Sequence, residues 1–210
     1  MDTYAVVPTC GRAELYACLD SLASQVTSTV VVTNGSYGGE DLAERPVHVI
    51  HDDAEGRNIS RWWNLGLDQV ERLYSHQGPY NVLIVNDDCT AGPESVSTLA
   101  DEMRKHGVSL AFPGPISKRL TSIHEPERIA GWFFMLPGEQ GLHADERYVW
   151  WAGDNDLDYR ARALSGSLVV PGIDVQHSAP NGYTNHIPGL SRQASKDVEA
   201  FRAFWGRLPY

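Results

Sequence analysis

The first half of the chain alternates short apolar runs with longer amphipathic segments. Four short runs are rich in β-branched residues and predict buried strands: residues 4–7, 29–33, 47–50 and 82–85. Apolar residues recur at helical spacing in two longer segments, residues 12–23 and 59–70. Such alternation is typical of a mostly parallel sheet wound with helices, in which ligands bind beyond the carboxyl ends of the strands. We therefore predict an α/β fold whose polar strand-end loops lie together.

The second half of the chain has a less regular pattern. After a break at Pro113-Gly114-Pro115, it predicts a strand over residues 129–136, a helix over 154–164, a pair of short strands within 168–176 and a last helix over 197–205. Residues 179–189 contain proline and glycine and predict a loop before that helix. We expect both halves to contribute to one sheet, and residues 1–210 to form a single domain.

The composition fits one water-soluble domain. At 210 residues, folding typically buries about 70% of the unfolded chain's surface, which is enough for one substantial core. No apolar run approaches the roughly 18 residues that a membrane-spanning helix needs, and the first residues lack the basic segment of a secretory signal. Cys10, Cys18 and Cys89 show no CxxC spacing, which argues against disulfides and a thiolate zinc site. We expect a cytoplasmic protein with reduced cysteines.

The charge balance narrows the range of ligands. The chain has 17 basic and 27 acidic residues, a formal net charge of −10, whereas nucleic-acid-binding proteins usually carry a basic patch. We therefore expect no nucleic-acid partner. An acidic protein that binds a phosphate-bearing ligand needs backbone amides, a few well-placed arginines, or a divalent cation held by carboxylates.

Asn86-Asp87-Asp88 is the first candidate site. It directly follows the predicted strand over residues 82–85, so its carboxylates are expected in the ligand-binding crevice. Oxygen ligands suit Mg²⁺ or Mn²⁺, and these cations also bind the oxygens of a diphosphate. The alternative is a turn in which these side chains merely end the strand.

The second candidate site is the aromatic and acidic segment at the start of the predicted helix over residues 154–164. Trp150 and Trp151 precede this helix, and Asp154 and Asp156 lie in its first turn. Tryptophan faces beside a carboxylate offer a platform for a sugar ring and an acid for its hydroxyl group. Alternatively, Asp154 is the helix N-cap and Asp156 complements the helix dipole.

His177, at the end of a short predicted strand, is the third candidate. A lone histidine is more often structural than a metal ligand. Its relation to the two acidic sites is what makes it a candidate.

The order of these motifs resembles that of family 2 glycosyltransferases of GT-A fold, over nearly the whole chain. The matching segments are Val6-Val7-Pro8-Thr9-Cys10-Gly11-Arg12, Thr33-Asn34-Gly35-Ser36, Asn64-Leu65-Gly66-Leu67, Asn86-Asp87-Asp88, Gly153-Asp154-Asn155-Asp156-Leu157 and His177. The ending, Phe201-Arg202-Ala203-Phe204-Trp205-Gly206, also looks like that family's terminal helix. The resemblance implies a GT-A fold with a nucleotide-sugar-binding half over residues 1–112 and an acceptor-binding, catalytic half over residues 113–210.

The resemblance also implies roles for individual residues. Those expected to bind the donor are Pro8, Thr9, Arg12, Asn34, Asn64, Asn86, Asp87 and Arg160, of which Arg160 has either a donor-side or a structural role. Those expected to bind the acceptor are Trp132, Trp151 and Asp156. Asp88 and His177 would hold a divalent cation, Mn²⁺ or Mg²⁺, and Asp154 would be the general base. Because strand residues alternate between faces, one of Trp132 and Phe133 should point into the core.

Two departures from the family pattern leave alternatives open. Asn86 replaces a frequent aspartate, so either Asn86 or Asp87 can be the contact to the ribose. Gly153 replaces the usual glutamate before Asp154. Another alignment puts Asn155 at the position of the base. An amide cannot usefully accept a proton, so Asp154 or Asp156 would then have to be the base. We take Asp154 as the base.

The implied activity is metal-dependent, inverting transfer of a sugar from a nucleotide diphosphate to a hydroxyl group of a glycan, protein or small-molecule acceptor. Two other interpretations stay open. One is a non-catalytic module of the same fold that binds a nucleotide sugar or glycan, and the other is a metal-dependent nucleotidyltransferase or phosphohydrolase. The turn Thr33-Asn34 differs from the family's frequent Asp-Asp, so the sequence does not assign the nucleotide.

Overall fold

The structure is a computed structural model that describes residues 1–35, 42, 45–178 and 182–209, with the backbone alone at residues 182 and 183. Its strands are β1 (Thr3–Thr9), β2 (Ser28–Thr33), β3 (Val47–His51), β4 (Asn81–Val85), β5 (Cys89–Ala91), β6 (Leu110–Pro113), β7 (Lys118–Leu120), β8 (Phe133–Pro137), β9 (Ser167–Val170) and β10 (Val175–His177). Its α-helices are α1 (Glu14–Leu22), α2 (Ile59–Tyr74), α3 (Ser95–His106), α4 (Gly153–Leu164), α5 (Gly182–His186) and α6 (Leu190–Trp205). None of these helices has the length and apolar character needed to cross a membrane.

Eight of the described strands form one sheet, in the order β3-β2-β1-β4-β8-β6-β9-β7. β1 pairs in parallel with β2 and β4, β2 with β3, and β6 with β9, whereas β8 and β7 run antiparallel to their neighbours. Strands from both halves of the chain are therefore joined in one sheet, as predicted. Because β1, β2 and β4 run in the same direction, the loops that follow them meet at one edge of the sheet.

Helices cover both faces of the sheet because successive strand residues point to opposite sides. Val6 packs with α2 and α4 in one core cluster, whereas Val7 packs with α1 and α3 in another. At Gly66 in α2, a Cβ atom would lie 2.2 Å from a methyl group of Val6, so the close approach of α2 to β1 requires glycine there. This mixed α/β architecture with a mostly parallel central sheet confirms the predicted fold class.

The predicted elements of the first half are confirmed with small shifts at their ends, but four predictions in the second half need correction. The predicted strand over residues 129–136 begins only at Phe133, and the last helix begins at Leu190. The short strands within 168–176 exist but do not pair with each other, because β9 belongs to the large sheet and β10 pairs with β5. The predicted loop over 179–189 contains α5. Residues 179–181 of that loop, and Ser36 of the predicted turn, lie outside the described residues.

Helix α3 and strands β5, β6 and β7 are additional to the predicted elements. The sequence of α3 does carry a helical signal, since Val96, Leu99 and Met103 are buried at helical spacing and Gly107 ends the helix in a left-handed conformation. The three strands are only three or four residues long. Such short segments show no readable alternation of apolar and polar residues.

A second, smaller sheet joins the two halves of the chain beside the loop that follows β4. β5 and β10 pair antiparallel in this sheet, with His177 opposite Cys89. Next to this pair, the backbone N–H and the hydroxyl group of Ser178 both donate to the carbonyl oxygen of Asp88, at 3.0 and 2.9 Å. This β5–β10 ribbon therefore determines where His177 lies relative to Asp88.

Candidate active site at the carboxyl ends of the strands

A cavity of about 300 Å³ lies where β1 and β4 end and α4 begins; we call it the strand-end cavity. Ten of the predicted site residues line it: Pro8, Thr9, Arg12, Asn86, Asp87, Asp88, Trp132, Trp151, Asp154 and His177. Other lining residues had no predicted role, among them Trp62, Trp63, Arg128, Trp150, Thr184 and Pro209. Five of the chain's six tryptophans thus line one cavity. Ligand pockets commonly combine an apolar lining with a few placed polar groups in this way.

The carboxylates after β4 have partners from three other segments of the chain. The Thr9 hydroxyl at the end of β1 donates to Asp87 Oδ2 at 2.6 Å. The Arg12 guanidinium donates to Asp88 Oδ2 at 2.7 Å. His177 Nε2 lies 3.2 Å from Asp88 Oδ1. The predicted meeting of these motifs at one edge of the sheet is therefore observed.

Residues 86–89 form a tight turn, in which the Cys89 N–H donates to the carbonyl oxygen of Asn86 at 3.1 Å. The Asp88 side chain nevertheless contacts Arg12 and His177 from distant segments, which an isolated strand-ending turn would not require. Burial alone would raise the pKa of Asp88. The hydrogen bond with His177 and the charges of His177 and Arg12 outweigh burial, so the pKa of Asp88 lies below its ordinary value. Asp88 is therefore an anion at neutral pH.

The surroundings of Asp88 fit a divalent cation. Asp88, Cys89 and His177 offer ligand atoms that lie within 4.8 Å of one another. Asp88 Oδ1 and His177 Nε2, which lie 3.2 Å apart, are the carboxylate oxygen and the imidazole nitrogen that would hold the ion. Cys89 is a poor third ligand, because burial raises the pKa of its thiol and these cations prefer oxygen.

Trp132 adds an aromatic surface beside Asp88 and His177. Its ring stacks on the His177 imidazole, with ring centroids 5.1 Å apart and 27° between the planes. Phe133, the next residue, is fully buried in the core. The expected alternation is therefore confirmed, with one aromatic ring in the core and the other at the cavity.

Asp154 enters the strand-end cavity from the first turn of α4. The N-cap position of α4 is Ala152, whose methyl side chain makes no cap hydrogen bond, so the alternative role of Asp154 as N-cap is wrong. Burial is the main cause that raises the pKa of Asp154 to about 6, against hydrogen bonds from backbone N–H groups of the same turn. A carboxylate with a pKa in this range is well suited to accept a proton near neutral pH.

Two glycines make room around Asp154. A Cβ atom on Gly131 would lie 2.0 Å from Asp154 Oδ2, so any larger residue would displace the carboxylate. A Cβ atom on Gly153 would lie 2.3 Å from Ser60 Oγ, a buried hydroxyl group that donates to the carbonyl oxygen of Tyr148 at 2.6 Å. The glutamate expected at position 153 by family resemblance does not fit beside Ser60, which explains the departure at Gly153.

Asp156 and Arg160 do not line the strand-end cavity, and their roles toward acceptor and donor stay predictions. Asp156 is buried, its Oδ2 accepts from Arg160 Nε at 2.8 Å, and its Oδ1 accepts from Trp205 Nε1 at 3.0 Å. Arg160 also donates to the carbonyl oxygen of His143 at 2.6 Å. Helical residues two apart point about 200° away from each other, so Asp156 faces away from the cavity that Asp154 lines. Asp156 joins α4 to α6.

Asn64 and Asn34 also lie outside the cavity lining. Asn64 accepts from the backbone N–H of Ala144 at 2.8 Å and donates to its carbonyl oxygen at 3.0 Å and to Glu146 Oε1 at 2.9 Å. Asn64 therefore holds the segment that precedes α4, and its contact with the donor stays a prediction. Asn34 directly follows β2, beside the end of β1, and its donor-binding role stays a prediction.

Trp62 is a cavity residue that the sequence assigned only to the apolar stripe of a helix. Its indole Nε1 donates to Asp52 Oδ2 at 2.6 Å, and the same oxygen accepts from Arg61 Nε at 3.0 Å. Asp52, which follows β3 in one of the polar strand-end loops, therefore holds the Trp62 indole in place. The helical periodicity of residues 59–70 could not separate core tryptophans from lining ones.

No family model matches this sequence, and no curated protein matches it as a relative. Solved structures match it over nearly its whole length. S. aureus TarS 1-349 is 12% identical, with a TM-score of 0.65, over 97% of this chain and 72% of that chain. The same protein in complex with UDP is 14% identical, with a TM-score of 0.63, over 98% and 72%. A Methanothermobacter nucleotidyl transferase is 16% identical, with a TM-score of 0.59, over 95% and 99%.

These similarities define the class of fold. The protein has a GT-A-type fold, the mixed α/β fold of nucleotide-diphospho-sugar transferases. At 12 to 16% identity the likeness extends to the fold alone. Membership of family 2 stays a prediction.

Proposed function

We propose that the protein is a glycosyltransferase that uses a nucleotide diphosphate sugar, with Asp154 as the general base. The observation that carries this proposal is that Asp154, whose pKa is raised to about 6, lines the same cavity as the pair formed by Asp88 and His177. Further support comes from S. aureus TarS, which has been solved with UDP and with UDP-GlcNAc and shares the fold.

The donor side of the proposed site is formed by the loops after β1 and β4. Arg12 supplies a positive charge beside Asp88, and Thr9 fixes the orientation of Asp87. A divalent cation bound by Asp88 and His177 would neutralise charge on the departing diphosphate. Without it, Arg12 and Arg128 would be the arginines of the cavity lining left to offset that charge.

The acceptor side of the proposed site is formed by the tryptophans near the start of α4. Trp132 and Trp151 offer apolar faces on which a sugar ring or another flat group can stack. Asp154 accepts the proton of the acceptor hydroxyl group while the oxygen of that hydroxyl group attacks the anomeric carbon of the donor sugar. A direct displacement of the diphosphate by that oxygen inverts the configuration of this carbon, so we propose an inverting reaction.

The test of the proposed activity is release of UDP from UDP-GlcNAc in the presence of Mn²⁺, measured with and without an acceptor panel of simple sugars and aryl glycosides. A thermal-shift screen of nucleotide sugars first selects the donor, and the selected compound replaces UDP-GlcNAc if it differs. A glycosyltransferase releases the nucleoside diphosphate faster when an acceptor is present. A phosphohydrolase releases nucleotide at the same rate with or without acceptor, and a binding module releases none.

A nucleotidyl transferase is the second candidate, because the Methanothermobacter enzyme of that class matches over 99% of its own chain. Such an enzyme would also use carboxylates at the end of β4 to bind a cation. It would form pyrophosphate from a nucleoside triphosphate and a sugar phosphate, and would not need a base at Asp154. Pyrophosphate release from UTP and a sugar 1-phosphate, unaffected by Asp154→Asn, would favour this candidate.

Gly131→Ala is expected to lower the turnover number by roughly 10- to 100-fold, because a misplacement of about 1 Å in a reacting group can cost that much. The added methyl group would displace the Asp154 carboxylate, which lies 2.0 Å from the position of the Cβ atom. Steady-state transfer and calorimetric binding of UDP are the two measurements, and UDP binding should not change. In the Asp154→Asn background, Gly131→Ala should cost no further activity, and a full additional loss would contradict the proposed contact.

Trp151→Ala is expected to weaken use of the acceptor by about 1–3 kcal/mol while leaving UDP binding unchanged, since its ring lines the cavity near Asp154. The ring also packs against a cluster formed by Tyr148, Tyr159 and Phe201, so some loss of stability is expected. Trp205→Ala is the matched control, because Trp205 packs on the same cluster but does not line the cavity. Equal effects of both variants on the acceptor KM would assign Trp151 to the core alone.

A further inference from the structure

Asp197 is a buried carboxylate that lies outside the strand-end cavity, in the middle of α6, and is 1% exposed. Its Oδ2 atom accepts hydrogen bonds from the backbone N–H groups of Trp150 at 2.6 Å and of Trp151 at 2.8 Å. Its Oδ1 atom accepts from Gln193 Nε2, one helical turn earlier, at 2.8 Å. A single side chain of the last helix thus holds two consecutive amides of the segment that leads into α4.

The segment held by Asp197 ends in an unfavourable backbone conformation. Ala152, the next residue, has a φ angle of 64°, in the left-handed region that residues with a Cβ atom seldom adopt. Such a conformation persists where the surrounding structure fixes it. Asp197 fixes the chain before Ala152, and the close packing of Gly153 against Ser60 fixes the chain after it.

Trp150 has a second attachment to the C-terminal helices. Its indole Nε1 donates to the hydroxyl group of Thr184 in α5 at 2.9 Å. Trp150 and Thr184 both line the strand-end cavity, and α5 packs against α6. The backbone of Trp150 is therefore held by one helix and its ring by the other, so that the last two helices determine the position of this side of the cavity.

We propose that Asp197 is a positioning residue for the acceptor side of the site. By holding the backbone of Trp150 and Trp151, it fixes the place of their rings and, through Ala152, the direction from which Asp154 enters the cavity. This inference rests on the proposed function, because it concerns the placement of Asp154 as a base. A carboxylate suits the task, since a charged acceptor forms stronger hydrogen bonds with two N–H groups than a neutral one does.

Two substitutions of similar size separate positioning from packing. Asp197→Leu keeps the volume but removes both acceptor oxygens. Asp197→Asn keeps one oxygen for the two tryptophan amides, since the amide of Gln193 can turn its own oxygen toward the new NH₂ group. The measurements are the kinetic constants for donor and acceptor, the affinity and stoichiometry of UDP by calorimetry, and hydrogen exchange at the amides of Trp150 and Trp151.

We expect Asp197→Leu to lower kcat/KM for the acceptor by roughly 10- to 100-fold, with one UDP still bound per chain and faster exchange at both tryptophan amides. Asp197→Asn should recover most of that activity. A merely structural role would instead reduce the bound fraction of UDP and leave the acceptor KM of the folded molecules unchanged. Folded Asp197→Leu with an acceptor kcat/KM within about twofold of the original would overturn the proposal.

If Asp197→Leu does not fold, Asp197→Asn decides the question. The amide oxygen of that variant accepts weaker hydrogen bonds than a carboxylate does, so we expect faster exchange at the amides of Trp150 and Trp151. We also expect a lower kcat/KM for the sugar acceptor. Faster exchange with unchanged transfer would overturn the proposal. The Asp154→Asn variant separates this test from the test of the proposed function. If that variant keeps its transfer activity, Asp154 is not the base and the proposed function is wrong, whatever the Asp197 variants show.

Discussion

Asp154→Asn should lower sugar transfer by at least about 10²-fold, the lower end of general-base effects, while donor binding stays unchanged. The amide keeps the shape of the carboxylate beside Gly131 but cannot usefully accept the proton of an acceptor hydroxyl group. The helix loses no cap, since the N-cap position of α4 belongs to Ala152. The measurements are kcat/KM for the acceptor and the calorimetric affinity for UDP.

The same substitution should stabilise the fold at neutral pH. Burial raises the pKa of Asp154 to about 6, whereas the unfolded chain has a pKa near 3.9, so the folded state binds more protons between these two values. The free energy of unfolding therefore decreases as pH rises from about 4 to about 6, and stays lower above that range. We expect Asp154→Asn to gain roughly 2–3 kcal/mol at pH 7.5 and little at pH 4, since each pKa unit corresponds to about 1.4 kcal/mol.

The pH dependence of transfer follows from the same carboxylate. Because a general base must be ionised, kcat/KM should fall as the pH drops through about 6. A profile that is flat down to pH 5, with the fold intact, would contradict the role of Asp154.

Asp156→Asn is the matched control for Asp154→Asn, since it makes the same chemical change two positions along the helix. It should weaken the contacts with Arg160 and Trp205, and so lower stability, while transfer by the folded molecules continues. If transfer survived in the Asp154 variant and disappeared in the Asp156 variant with donor binding intact, the role of base would pass to Asp156.

Asp88→Asn is expected to lower transfer by about 10²- to 10³-fold and to abolish the effect of Mn²⁺ on UDP affinity, because a cation that stabilises the leaving group can supply several kcal/mol. Asp88 is the carboxylate shared by Arg12 and His177, so its loss removes the anion of the proposed cation site. Calorimetry of UDP in Mn²⁺ and in excess chelator measures the effect. The unaltered protein should bind UDP weakly in chelator.

Cys89→Ala serves as the control for the cation site. Cys89 lies within the same group of possible ligand atoms, but the raised pKa of its buried thiol argues against its binding the ion. The variant should therefore keep the difference in UDP affinity between Mn²⁺ and chelator. Equal affinity of the unaltered protein under both conditions would contradict the assignment of the cation to Asp88 and His177.

The meeting of the strand-end loops could be predicted from the sequence because it follows from the direction of the strands. Apolar runs separated by helical segments imply parallel strands, and parallel strands bring the residues after them to one edge. The contacts of Thr9 with Asp87 and of Arg12 with Asp88 are instances of this rule. The polar residues after short buried runs were therefore informative although their partners are distant in sequence.

The sequence could not assign the roles of residues whose positions are determined by helical phase or by long-range contacts. Asp154 and Asp156 look equivalent in a local motif, but they point to nearly opposite sides of α4, and only one faces the cavity. The partner of Asp197 is the backbone of Trp150 and Trp151, and backbone amides have no sequence signature. Gly131 shows its role only through a close approach to Asp154 that no local pattern encodes.

The β5–β10 ribbon also bears on how the chain assembles. It brings Ser178 to Asp88 across 90 positions of sequence, so the pair formed by Asp88 and His177 exists only after both halves of the chain have folded together. A cation held by that pair would bind the complete native state and leave partly folded forms without a site. By mass action, a rising cation concentration would then favour the completely folded state, in which the two halves of the chain are joined.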